Sequence, residues 1–343
     1  MLTIALLAVF FAILSWLATT LRHVWHSIPR SNADFDLAGL RWDSRVAHPN
    51  PASHATHNPA AAFYGKALVP RMLGATLRTV DRIAPRIGTR GALGLFFTPM
   101  PWKLSMRGTV PSRWRTDAWR FEDASLVAYR RRGIAAGRPA VLLVHGWAGS
   151  GAQLFKLGDA LADAGFDPVL LDFPAHGRSA GWQSTLPQFQ RAIYAGAARI
   201  GPLHAIVAHS LGAIATMHAV ARGLGVTRLV LVATSAPPMQ FLRWFAGAFG
   251  LRESVAERMR RRIEARERIT LDEFEPEWLG PRIHQRVLVI HDENDRVAPL
   301  AISQRMLAAL GEGRLVTTQG LGHRRVLDDR SVADEIVAPL APA

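Results

Sequence analysis

Cysteine is absent from all 343 residues, which excludes disulfides and every thiolate-based metal or redox site. Lysine is nearly absent: only three of the 41 basic residues are Lys. Arginine therefore serves even ordinary solvated faces, and its abundance reads as a compositional habit more than a recognition device. Acidic residues are scarce in one region only. Residues 22–138 hold 19 Lys and Arg against 7 Asp and Glu, whereas residues 139–343 hold 22 against 20. The surplus behind the formal net charge of +14 thus belongs to the first third of the chain. Nothing resembles a nucleic-acid-binding fold with clustered basic residues, so no nucleic-acid partner is expected. A basic flank beside a membrane is the better use of this charge.

Charge of either sign is missing from residues 1–21, MLTIALLAVFFAILSWLATTL. About 20 apolar residues rising ~1.5 Å each cross the ~30 Å hydrocarbon core, so a transmembrane anchor is expected. A cleaved signal peptide would want a basic start and small residues before the cut. Nothing basic precedes the run, and Trp16 and Leu17 stand where small residues would be needed. Arg22, Arg30, Arg41 and Arg45 all follow it. The positive-inside rule then predicts a single-pass protein, on a bacterial inner membrane, with its bulk in the cytoplasm.

Residues 22–117 read as a linker and basic helical extension. His48, His54 and His57 fall together in its Pro- and Asn-rich part, but their spacing fits no helical metal pair. Residues 63–98 carry apolar residues at helical spacing, broken by Pro70 and Pro85. One or two short basic amphipathic helices are expected there, lying on a membrane surface or packing on the rest of the protein.

From residue 118 to 343 short apolar strands alternate with helices. A hairpin is expected from Trp119–Glu122 and Leu126–Arg130, then strands at 140–144 and 168–171, an apolar run at 205–207 leading into Ser210, and strands at 228–232, 286–290 and 314–318. Helices are expected between them at 152–164, 186–200, 211–222 and 300–310, with a last one at 331–340. That rhythm means a doubly wound, mostly parallel α/β sheet. Residues 236–283 interrupt it and predict a helical cap. Within the cap, residues 241–251 could line an acyl pocket or touch a bilayer, and residues 257–269 read as a solvated face with i,i+4 charge pairs.

The chemistry centres on Ala208-His209-Ser210-Leu211-Gly212. Small-x-Ser-x-Gly at a strand-to-helix turn is a nucleophile elbow, and its flanks are small because Ala208 and Gly212 are expected to pass close across the turn. A serine hydroxyl is a weak nucleophile without a base. His323, in Gln319-Gly-Leu-Gly-His323 after the last strand, is the candidate, with Gly320 and Gly322 allowing the loop to reach back. His209 is expected to point the wrong way, and His291 to be structural. For the acid, Asp295 and Asp292 both qualify by type. Asp295 is preferred because Val297 and Pro299 anchor it further into the loop, while Asp292 caps that loop. The Trp147 amide, after strand 140–144, and the Leu211 amide are the candidate oxyanion donors. Asp172 and Ser179 are expected to bind loop backbone.

The set HGWAGS, DFPAHGRS, AHSLGA, HDENDRVAP and GLGHRR, in that order over residues 118–340, resembles the α/β-hydrolase superfamily. Among its members it looks most like bacterial serine esterases and lysophospholipase-like proteins. Ala208 replaces a usual Gly, and Asp292 stands where the acid loop often has Gly. The resemblance implies a catalytic triad of Ser210, His323 and Asp295 with the Trp147 and Leu211 amides as oxyanion hole, and neither metal nor organic cofactor is expected. The anchor, the basic flank and the apolar cap together point to a lipid-like or other small acyl ester as substrate. Acyl transfer by the same residues, or a catalytically silent membrane scaffold, are the alternatives.

Overall fold

The structure, a computed structural model, describes residues 68–99 and 107–340. The expected anchor (1–21) and the histidine-containing linker lie outside those residues, and no described helix is long and apolar enough to cross a membrane.

Eight strands form one sheet: β1 (Trp114–Phe121), β2 (Ala124–Arg131), β3 (Ala140–Val144), β4 (Asp167–Asp172), β5 (Leu203–His209), β6 (Val226–Val232), β7 (Arg286–Asp292) and β8 (Gly313–Thr318). Their order is β1-β2-β4-β3-β5-β6-β7-β8. β3 to β8 run parallel, and β2 is antiparallel to both β1 and β4. The hairpin is longer than its apolar residues suggest, pairing Trp114 with Arg131 through to Phe121 with Ala124. Its outer strand carries Arg115 and Arg120 on exposed positions and Asp117 on a half-buried one, and those charges hide a strand from an apolar pattern.

The central strands are apolar on both sides because helices cover both faces. Leu142 and Val144 of β3 and Ile206 and Ala208 of β5 point into one core. Their neighbours Val141, Leu143, Ala205 and Val207 point into the other. The second core is closed by α3 (Phe155–Asp163) and α11 (Arg330–Val337). The first is covered by α4 (Leu186–Ile200) and α5 (Leu211–Ala221), and beyond them by the insertion between β6 and β7.

That insertion holds α6 (Pro238–Ala248), α7 (Glu253–Glu267) and the short α8 (Pro276–Leu279). α7 has a solvated face with a 3.1 Å Arg261–Glu257 pair, but it also buries Val255, Ala256, Met259 and Ile263. After β7 come α9 (Leu300–Ala309) and, past β8, a four-residue turn of helix, α10 (Gly322–Arg325).

The extension packs on this cap. It forms α1 (Leu68–Ile83) and α2 (Pro85–Phe96). Pro70 falls inside the first turn of α1, where its missing N–H breaks no helical bond, so it does not interrupt the helix. Asp81, buried and the one acid of the hairpin, pairs with Arg258 and, at 3.5 Å, with Arg252. Arg78 donates to the Phe249 carbonyl at 2.7 Å, and the Phe96 ring meets Phe245 edge-on at 5.3 Å.

Candidate active site

Ser210 joins β5 to α5 with φ 55° and ψ −119°. A side-chain-bearing residue in such a region costs about 1–3 kcal/mol, so the surroundings must hold it there. They do so with backbone bonds. The Ser210 amide donates to Val232 at 2.9 Å, and its carbonyl accepts from Ala213 at 3.0 Å and Ser235 at 3.3 Å. The turn leaves no room on the β3 side. A Cβ on Gly146 would stand 2.6 Å from Ser210 Cβ, and one on Gly212 would stand 2.4 Å from the His145 carbonyl oxygen. A close approach that requires Gly212 is therefore to the His145 carbonyl at the end of the neighbouring strand.

β8 ends in a loop where Gly320 and Gly322 have φ of 79° and 67°. It carries His323 back over the sheet, with Nε2 3.0 Å from Ser210 Oγ and Nδ1 2.7 Å from Asp295 Oδ2. Asp295, in the loop after β7, uses its other oxygen to accept the amides of Val297 (2.7 Å) and Ala298 (2.9 Å). Burial pushes its carboxyl upward, but the bond and charge of His323 and those two amides outweigh it, and the net shift is below the ordinary carboxylate range. An ionised Asp295 places the proton of His323 on Nδ1 and turns the Nε2 lone pair towards the serine hydroxyl.

Asp292 is buried and fully occupied. It accepts from the Asn294 amide at 3.0 Å, from Thr318 Oγ1 at 2.8 Å and from the Leu321 amide at 2.9 Å, so it ties the β7 and β8 loops together. It makes no bond to His323. His291 is bonded at Nδ1 to Ser303 and at Nε2 to the Ala298 carbonyl, both at 2.7 Å. His209 turns away from Ser210, and its Nε2–H donates to the carbonyl oxygen of His323 at 2.8 Å. Burial and the neighbouring His323 hold its imidazole well below the usual histidine range, so it stays neutral. Asp172 accepts from the Gly151 amide (2.6 Å), the Arg178 amide (2.7 Å) and Tyr129 (2.6 Å). Ser179 links the Asp172 carbonyl to the Val127 amide.

Trp147 directly follows Gly146, which abuts Ser210, and Leu211 opens α5. Among the described residues neither amide donates to a protein acceptor. Two unpaired donors beside one hydroxyl, one of them at a helix N-terminus, suit a developing negative charge.

Trp147 and Leu211 also line an apolar cavity. Its other walls are Phe241 and Phe245 of α6, Ile263 of α7, Leu271, and Phe96 and Phe97 at the end of α2. The last two were not singled out from sequence; their one local signal is the aromatic doublet before Thr98-Pro99. A second hollow is bordered by Arg296, Arg325 and His323. Among the described residues no group of three or more His, Asp or Glu could hold a metal ion.

Residues 139–285 match the family described as alpha/beta hydrolase fold, and residues 272–340 match the family described as TAP-like protein. Several solved structures share the fold. A candidate lipase from Acinetobacter baumannii AYE is 16% identical with a TM-score of 0.51, covering 66% of this chain and 90% of its own. A membrane phospholipase A described as a bacterial virulence factor is 18% identical with a TM-score of 0.50, covering 81% and 94%. Est1E from Butyrivibrio proteoclasticus is 16% identical with a TM-score of 0.51, covering 66% and 99%. No curated protein matches the chain by sequence. With sheet, site order and family matches in agreement, the chain belongs to the α/β-hydrolase superfamily.

Proposed function

We propose that the protein is a serine hydrolase cleaving a carboxylic ester with an apolar acyl chain through an acyl-enzyme intermediate. The observation that carries this reading is the unbroken chain of hydrogen bonds from Ser210 through His323 to Asp295. Ser210 Oγ attacks the ester carbonyl carbon while its proton passes to His323 Nε2. The carbonyl oxygen gains the charge and is received by the Trp147 and Leu211 amides. The bond to the alcohol then breaks, and the imidazolium, stabilised by Asp295, protonates the leaving oxygen. Water attacks the acyl-serine by the same route, and the free acid departs. The acyl chain occupies the cavity walled by α2, α6 and α7, whose phenylalanines offer no hydrogen bonds and favour hydrocarbon. A lipid-like ester suits that lining, and the phospholipase and lipase among the structural neighbours agree with it.

The test is a chain-length series of p-nitrophenyl esters, together with labelling by a fluorophosphonate probe. Native protein is expected to label and turn over, and Ser210→Ala is expected to lose labelling and about 10⁵–10⁶-fold in kcat. Well-folded protein that neither labels nor hydrolyses any member of the series would refute the reading.

A further inference from the structure

The α1–α2 hairpin has a second face that the packing leaves open. Four large hydrophobic side chains stand exposed among the described residues, and three of them are here: Met72, Ile83 and Ile87, with Ile83 at 80% and Ile87 at 53%. Ile83 ends α1 and Ile87 sits in the first turn of α2, so both mark the tip of the hairpin. The tip is also basic. Residues 68–96 hold Arg71, Arg78, Arg82, Arg86 and Arg90 against the single acid Asp81, and that acid is taken by Arg258 and Arg252. Arg82, Arg86 and Arg90 are exposed. Arg262 of α7 approaches the group, and after burial, the charges of Arg90 and Arg86 are what pull its guanidinium below the usual range. Like charges gathered around exposed isoleucines store repulsion that an anionic surface relieves.

We propose that this tip docks on an anionic phospholipid bilayer, with Ile83 and Ile87 entering the interface and Arg82, Arg86 and Arg262 meeting lipid phosphates. A bilayer supplies both things the patch lacks, an apolar layer for two side chains and a plane of negative charge for the ring around them. The placement is useful to the pocket. Along α2, Ile87 lies nine helical steps from Phe96, about 14 Å at ~1.5 Å each, so the helix that meets the bilayer ends in the wall of the acyl cavity. The proposal does not depend on the reaction assigned to Ser210.

The absence of native cysteine makes the test specific. Full-length Ile83→Cys, labelled with an NBD fluorophore, is mixed with vesicles of phosphatidylcholine alone or of phosphatidylcholine with phosphatidylglycerol. Glu312→Cys, labelled at the far edge of the sheet, is the control. The label at position 83 is expected to shift to the blue, rise severalfold in intensity and be quenched by spin-labelled lipid, only when phosphatidylglycerol is present. The label at position 312 stays in water. Adding Arg82→Glu and Arg86→Glu abolishes the shift, and 1 M salt weakens it, since the screening length falls to about 3 Å. Because position 83 is read directly, attachment through any other segment does not mimic the signal. Equal shifts in neutral vesicles, no shift in either, or a label already blue without vesicles (a face covered by this chain or a second copy) would each overturn the proposal.

Discussion

Asp295 holds two backbone amides with one oxygen and the His323 ring with the other, whereas Asp292, three residues earlier, spends its carboxylate on the loops themselves. The two acids should separate cleanly when changed. Asp295→Asn is expected to lower kcat by about 10⁴ with Tm little altered, because the imidazole loses the partner that sets its tautomer. Asp292→Asn removes a buried acceptor from donors that remain, and is expected to cost about 1–3 kcal/mol of stability with a far smaller loss in kcat. Steady-state kinetics and thermal unfolding of both variants decide it, and the reverse ranking would exchange their roles. At this scale the site was legible because each group sits in a short local motif. Ser210 lies between small residues, His323 follows a Gly-x-Gly loop, and Asp295 precedes Val-Ala-Pro. The demand on Gly212 was not legible, because the His145 carbonyl that crowds it comes from another strand.

Among the elements, the cavity shows how far apart its walls are in sequence. Phe96 and Phe97 precede Ser210 by more than a hundred residues, and Phe241, Phe245 and Ile263 follow it. Strand and helix order could be read from hydrophobic spacing, but which helix end meets which cap helix depends on side-chain packing that spacing does not encode. Pro70 illustrates the same limit, since only its place in the first turn decides that it opens a helix and does not break one. Phe96→Trp is expected to shorten the cavity. Esters with short acyl chains should be turned over almost as before. Longer ones should lose about 0.8 kcal/mol, roughly fourfold in kcat/KM, for each methylene no longer accommodated. A uniform loss across the chain-length series would mean that the acyl chain lies elsewhere.

For the molecule as a whole, buried histidines set the response to acid. Burial is the largest influence on His145, His209, His218 and His291, and it holds each below the ordinary 6.5, even though Glu273 beside His218 and Asp172 near His145 pull the other way. The unfolded chain takes up protons near pH 6.5 while the folded one resists, so below that pH the unfolded state binds more protons and stability falls. Asp292 and Asp295 sit below the ordinary 3.8, so their contribution is complete above that value and is lost as pH falls through their lowered range. The unfolding free energy is therefore expected to fall between pH 7 and 5, by up to about 1.4 kcal/mol per pH unit for each histidine, and to fall again below pH 4, with Tm declining in the same two windows. A flat profile from pH 7 to 5 would contradict the assignment of these histidines as neutral.

The contact of Arg78 with the Phe249 carbonyl spans 171 residues. On a ribosome adding about 5–20 residues per second, the α1–α2 hairpin waits on the order of 10–30 s before the cap that covers it emerges. Throughout that interval Leu77, Leu93 and Phe97, which in the finished protein share one buried cluster with Phe245, Phe249 and Met259 of the cap, lack the cap side chains that complete their burial. A fragment starting at the hydrolase strands meets the opposite problem, a cap with no hairpin beneath it.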